Sequence, residues 1–69
     1  MTLNDILKVV DKNSYIVINY RGQVIFANVA RYIGTPIKSG YGYNQVYTIL
    51  PVVQNVKGAQ RTTIEIRLL

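Results

Sequence analysis

The sequence contains no cysteine, no histidine and no tryptophan, and it has only three acidic residues. Without cysteine the chain cannot form a disulfide. Without cysteine or histidine it lacks the ligands that zinc sites normally use and the partner residues that activate most nucleophiles. We therefore predict a protein without a metal or another cofactor.

The three carboxylates each have a structural explanation. Asp5 falls in the first turn of a predicted helix, Asp11 follows the end of that helix, and Glu65 lies on the outward side of a predicted strand. A cross-strand ion pair accounts for Glu65. Acid–base catalysis would require Glu65 to meet one of the two aspartates, which the pattern does not favour. We predict that the protein is not an enzyme and acts by binding.

The chain also lacks a long apolar run. No stretch approaches the roughly 18 residues that a membrane span needs. The first residues carry no basic region of the kind that begins a secretory signal, and Asp5 interrupts their apolar character. Together with the absence of cysteine, these features predict a cytoplasmic protein that does not enter the membrane.

The length of 69 residues predicts a single domain over residues 1–69. So short a chain buries only about 60 % of its unfolded surface, and small domains usually need a disulfide, a metal or a partner subunit. Hydrophobic residues nevertheless make up 49 % of the sequence. We expect part of this apolar surface to contact a second copy or another partner, and the mismatch between core size and apolar content favours a homo-oligomer.

Eight basic residues against three acidic ones give a net charge of +5. This excess favours an anionic partner, such as nucleic acid, an acidic protein face or anionic lipid. The basic residues are scattered along the sequence, however, and solubility alone explains such a charge equally well.

The pattern of apolar residues predicts a helix followed by strands. Thr2 and Asp5 resemble a capping box, and Leu3, Ile6, Leu7 and Val10 then form one helical stripe that ends at residues 11–14. Residues 15–20 and 23–29 are β-rich and flank Arg21-Gly22, as in a hairpin. Residues 46–50 predict a third strand, which ends at Pro51, lies at an edge of the sheet or carries a bulge, because proline cannot donate a ladder hydrogen bond. Residues 54–59 predict a turn, and residues 62–68 predict a fourth strand with Ile64, Ile66 and Leu68 facing inward.

A two-residue turn at Arg21-Gly22 pairs Ile18 with Ile25 and places Ile16, Ile18, Ile25, Ala27 and Val29 on one face. The opposite face is too apolar for a face turned to water. This second face must therefore be covered, either within the domain or by a partner or second copy. The predicted contacts with a partner or another copy are Tyr15, Val17, Val24 and Phe26.

Residues 30–45 are the least regular part of the sequence. Residues 30–34 could form a helical turn that ends at Gly34, and Pro36 favours an extended or turn conformation at Thr35. Glycines at positions 40 and 42 predict an exposed loop over residues 38–44. The expected fold is α+β, with one N-terminal helix packed on a small four-stranded antiparallel sheet built from two hairpins; a small β-barrel is the alternative.

Tyrosine and basic residues are interleaved in this irregular segment. Tyrosine can stack on a base and basic side chains can hold phosphate. The candidates for contact with an anionic partner are Arg31, Tyr32, Lys38, Tyr41 and Tyr43. Tyrosine is also a standard residue of half-buried strands and protein interfaces, and the sequence favours that use because it contains no RNP, KH or helix-turn-helix pattern.

The chain resembles a group of short uncharacterised proteins of phages and prophages of Gram-positive bacteria in its order of helix, strand, turn and strand. The matching parts are residues 3–10, residues 15–30 across Arg21-Gly22-Gln23, and the run Thr63-Ile64-Glu65-Ile66. The resemblance covers about half of the chain. It implies a phage-encoded protein that binds and modulates or inhibits a host protein complex, such as a CRISPR effector, in the host cytoplasm. Many such inhibitors are acidic mimics of nucleic acid, which a chain of charge +5 is not.

Two hypotheses result. The first is a non-enzymatic protein-binding module that forms homo-oligomers. The alternative is a small basic protein that binds nucleic acid.

Overall fold

The computed structural model describes the backbone of residues 1–56 and 58–69 and the side chains of residues 1–53, 58 and 62–69. It confirms the α+β class, with two short helices on one face of a four-stranded sheet. The sheet is open, so the barrel alternative is wrong. The elements are α1 Leu3–Val9, β1 Tyr15–Tyr20, β2 Gln23–Val29, a 3-10 turn Ala30–Tyr32, α2 Thr35–Tyr41, β3 Val46–Val56 and β4 Ala59–Leu68.

Helix α1 begins at the predicted capping box. The Asp5 N–H donates to the Thr2 hydroxyl at 3.4 Å, and the Thr2 N–H donates to the Asp5 carboxylate at 3.0 Å. These two bonds satisfy amide groups that a helix start otherwise leaves unpaired. A helix of seven residues is marginal alone, so α1 depends on the burial of Leu3 and Ile6 against the sheet.

The strands lie in the order β2-β1-β4-β3 and form two antiparallel hairpins, β1–β2 and β3–β4. The two hairpins meet through β1 and β4, which are parallel, from Tyr15 opposite Thr63 to Tyr20 opposite Leu68. The sheet is therefore mixed, and the prediction of a purely antiparallel sheet was wrong. β3 runs in the same direction as β2, and strands in that relationship need a crossover connection, usually a helix.

That crossover contains α2, where the sequence predicted an extended or turn conformation at Thr35 and an exposed loop over residues 38–44. Thr35 begins the helix, so the prediction for it was wrong. The predicted loop was wrong for residues 38–41, which are helical, whereas residues 42–44 form a turn in which Tyr43 is exposed. Pro36 lies in the first turn of the helix, where its missing N–H has no partner to lose. The Ser39 hydroxyl donates to the Thr35 carbonyl at 2.8 Å, and Ile37 and Tyr41 pack against the core. This apolar side offsets the low helix propensity of Gly40. The helical turn predicted at residues 30–34 is present as the 3-10 turn.

The β1–β2 hairpin turns at Arg21 and Gly22, whose φ angles of 51° and 82° are those of a tight type I′ turn. A bulge follows. Asn19 pairs with Val24, but Ile18 pairs with Phe26, so one residue of β2 has no counterpart in β1. One extra residue inverts the alternation of all later residues. The predicted pairing of Ile18 with Ile25 and the predicted position of Phe26 on the second face were therefore wrong.

The core lies between the helices and one face of the sheet. The inward direction predicted for Ile66 and Leu68 is confirmed. β3 is an edge strand, which explains how it continues past Pro51 to Val56. Within the predicted turn at residues 54–59, Gly58 has a φ of 78°, and Lys57 lies outside the described residues. The buried apolar residues are Leu3, Ile6, Ile16, Ile18, Ala30, Ile66 and Leu68.

Candidate binding surfaces

The side of the sheet turned away from α1 and α2, here called the open face, is the first candidate. The paired residues Val17 and Glu65 show which residues share it, because partners on neighbouring strands point to the same side. Tyr15, Val17 and Val24 lie on this face as predicted, whereas Phe26 packs against the core. Its further members are Asn19, Ala27, Val29, Thr48, Leu50, Val52, Thr63, Glu65 and Arg67.

The centre of the open face is polar but electrically balanced. The Glu65 carboxylate accepts hydrogen bonds from Asn19 Nδ2 at 2.9 Å and from Arg67 Nε at 3.1 Å, and an Arg67 terminal nitrogen lies 3.0 Å from it. The ion pair thus runs along β4 and is not the cross-strand pair that the sequence predicted, and the side chain of β1 that hydrogen-bonds to Glu65 is the neutral Asn19. A hydrogen bond with Tyr47 and then the bonds and charge of Glu65 hold the pKa of Arg67 above its ordinary value. Among the described side chains of this face, Glu65 and Arg67 are the only charged ones.

The second candidate is a groove of about 570 Å³ between α1, the 3-10 turn and α2, here called the basic groove. Four of the eight basic residues line it, although they are far apart in the sequence. The structure therefore gathers charges that the sequence scatters. The basic residues of the groove are Lys8, Lys12, Arg31 and Lys38.

Asp5 is the one acidic residue among the described lining of this groove. Its carboxylate is occupied by the capping box. Hydrogen bonds from the Thr2 backbone and side chain, in that order, lower the pKa of Asp5, and the charge of Lys8 acts in the same direction. Asp5 is therefore ionised at neutral pH, and four cations face one anion in the groove.

The tyrosines predicted to contact an anionic partner separate in the structure. Tyr43 lines the basic groove and is 81 % exposed. Tyr32 is exposed on the 3-10 turn but is outside the lining of the groove. Tyr41 packs against the core, and the centroid of its ring lies 5.2 Å from that of Tyr20. It therefore lies apart from the other residues that were predicted to contact an anionic partner.

Of the predicted set, Arg31, Lys38 and Tyr43 come together, and the sequence interpretation missed Lys8 and Lys12. These two lysines belong to the end of α1 and the segment after it. The predicted helix could have drawn attention to them, because it places Lys8 in its last turn and Lys12 just beyond its end, and no other role was predicted for either lysine.

Backbone hydrogen bonds hold the walls of the groove together. The Arg31 N–H donates to the Lys12 carbonyl at 3.0 Å, and the Asn4 N–H donates to the Gly42 carbonyl at 2.8 Å. Gly42 is needed at this contact, since a Cβ there would overlap the Lys38 carbonyl and the Asn4 side chain. Backbone hydrogen bonds therefore hold the segments that carry the cations, and these bonds do not involve the basic side chains.

Comparison with protein-family models, curated proteins and solved structures finds no match to this chain. Within residues 1–56 and 58–69, no helix is long and apolar enough to cross a membrane.

Proposed function

We propose that the protein is a non-enzymatic protein-binding module that associates with a second copy of itself through the open face. The observation that supports this most directly is the apolar character of that face on both sides of its balanced polar centre. Val24 is 58 % exposed on β2 and Leu50 is 36 % exposed on β3. Exposed apolar side chains on one face of a sheet are a feature of interaction sites.

The distribution of charge favours a second copy as the occupant. Two chains of net charge +5 repel one another, so they can meet only where the local charge is low. The Glu65–Arg67 pair balances the centre of the open face, while the basic groove lies on the helical side of the sheet. Contact between two open faces keeps the two basic grooves apart.

The small core gives a further reason. A chain of 69 residues without a disulfide has little apolar burial with which to offset the conformational entropy of folding. Burial of Val17, Val24 and Leu50 in a dimer adds stabilisation at about 25 cal/mol for each Å² of apolar surface removed from water.

The wider role is proposed from the sequence resemblance alone. It is that of a phage-encoded protein that binds and modulates or inhibits a host protein complex in the host cytoplasm. The dimer proposal is independent of that role.

Sedimentation velocity over a concentration series tests the dimer. We expect the unaltered chain to pass from one copy to two as its concentration rises, and Val17→Lys to remain a monomer because it places a cation inside the contact. Val24→Lys repeats the test at a more exposed position. Val9→Lys is the matched control, since Val9 is an exposed apolar residue of α1 that receives the same added charge.

Circular dichroism establishes that each variant is folded. A monomeric Val17→Lys or Val24→Lys beside a dimeric Val9→Lys supports the proposal. An unaltered chain that stays monomeric throughout the series contradicts it, as do open-face variants that associate as strongly as Val9→Lys.

A further inference from the structure

The basic groove has no part in the proposed dimer, and its chemistry is different. We propose that it binds single-stranded nucleic acid, with Lys8, Lys12, Arg31 and Lys38 contacting consecutive phosphates and Tyr43 stacking on a base. This site is independent of the open face, because the sheet separates the two surfaces.

The first argument is charge. Half of the basic residues of the chain surround one concavity, and the one acid among its described lining is engaged in the capping box. Lys12, Arg31 and Lys38 form no ion pair with any residue of the described part of the chain. Such unpaired, closely grouped cations attract a chain of phosphates and release its counterions on binding.

The second argument is the position of Tyr43. Its ring is exposed beside the cations, where nothing in the core needs it. A base can stack on such a ring only when it is unpaired, so this arrangement selects a single strand over a duplex. α1 has seven residues and an acidic first turn, which makes it unsuited to reading the major groove of a duplex.

The shape of the site separates nucleic acid from a lipid surface. The cations line a concavity between α1 and α2 and do not form the polar side of a long amphipathic helix. Peripheral membrane binding normally uses such a helix, with its apolar side inserted among the lipids. A groove instead suits a narrow, flexible polyanion.

Fluorescence anisotropy of labelled single-stranded and duplex oligonucleotides, titrated at several salt concentrations, tests the proposal. Four phosphate contacts on a single strand predict a slope of log K against log salt of up to about −2.8, that is about 0.7 per contact. Arg31→Gln should weaken binding and reduce the slope by about 0.7. Arg21→Gln is the matched control, because it causes the same loss of net charge at the hairpin turn, outside this groove.

Tyr43 provides a second, uncharged test. Tyr43→Ala should weaken single-strand binding by about fivefold or more with an unchanged salt slope, whereas Tyr43→Phe should bind like the unaltered chain. Tyr32→Ala is the control, since Tyr32 is also exposed but lies outside the groove lining. Val17→Lys, altered on the open face, should still bind.

The outcomes separate the possible partners. Single-strand binding that Arg31→Gln weakens more than Arg21→Gln supports the site. The proposal is overturned if no oligonucleotide binds at low salt, if duplex binds as tightly as single strand, or if Arg31→Gln and Arg21→Gln behave alike. Binding to phosphatidylserine vesicles without binding to single strands would overturn it in favour of a membrane surface.

Discussion

Phe26 lies directly across from Ile18 on the helix-covered side of the sheet, although Val24, two residues earlier in the same strand, lies on the open face. In a regular strand these two β2 residues would share a side. The bulge between them separates their roles, so that one contributes to the core and the other to the surface.

This separation predicts different effects of truncation at the two positions. Phe26→Ala removes a partly buried ring from the core and should lower the free energy of unfolding by about 2 kcal/mol, less than for a fully buried phenylalanine. Val24→Ala should change it by less than about 0.5 kcal/mol in the monomer. Urea denaturation at a concentration below that of association measures both. Equal losses at the two positions would show that the bulge is absent in solution.

Two glycines should respond to alanine in opposite directions. Gly40 lies within α2 and Gly22 has a φ of 82°, and at both positions an added Cβ meets no atom within 4 Å. Gly40→Ala should therefore stabilise the fold by about 0.5–1 kcal/mol through helix propensity and reduced unfolded-state entropy. Gly22→Ala should destabilise it by about 1 kcal/mol, because alanine is strained at that φ. Thermal denaturation of the two variants gives the sign of each effect, and destabilisation by Gly40→Ala would contradict the helical assignment of residues 35–41.

The capping box should make stability depend on pH at the acidic end of the range. Because hydrogen bonds from Thr2 lower the pKa of Asp5 in the folded state, its carboxylate stabilises the fold above the unfolded value of about 3.9. That stabilisation is lost as the pH falls through the folded pKa. Asp5→Asn should therefore melt at a lower temperature than the unaltered chain at neutral pH, and the difference should shrink below about pH 4. A difference that is constant down to pH 2 would exclude the carboxylate as its source.

The Glu65–Arg67 pair should contribute modestly and in a salt-dependent way. Glu65→Gln can keep the bond from Asn19 but loses the charge that faces Arg67, and we expect a cost of about 0.5–1 kcal/mol. Added salt should reduce this cost. A double-mutant cycle with Arg67→Gln isolates the coupling between the two side chains. A coupling of zero at low salt would mean that the pair adds no stability.

The elements that the sequence predicted well are those whose signal is local. The capping box at Thr2 and Asp5, the turn at Gly22 and the inward side of β4 depend on neighbouring residues only. The bulge in β2 carries no such signal, since Val24, Ile25 and Phe26 are all good strand residues. α2 was missed because its glycines indicate a loop and only tertiary contact with the core compensates for them.

The two candidate surfaces also differ in whether local sequence signals could predict them. Tyr15, Val17 and Val24 were placed correctly because strand alternation holds up to the bulge. The basic groove could not be predicted, because it unites residues from α1, the 3-10 turn and α2 that come together only through the crossover. Lys12 and Arg31, for example, are joined by a backbone hydrogen bond between residues far apart in the sequence, and no local pattern predicts such a bond.

The parallel pairing of β1 with β4 also determines when the protein can fold during its synthesis. While the ribosome is making the first half of the chain, β1 has only β2 beside it, and an isolated hairpin is marginally stable in water. Its second neighbour, β4, is translated after β2, α2 and β3, so β1, with its core residues Ile16 and Ile18, lacks that neighbour until β4 has been made. The four-stranded sheet therefore cannot be completed before β4 has been made, and a chain stalled before β4 should be more accessible to proteases and chaperones than the complete sheet.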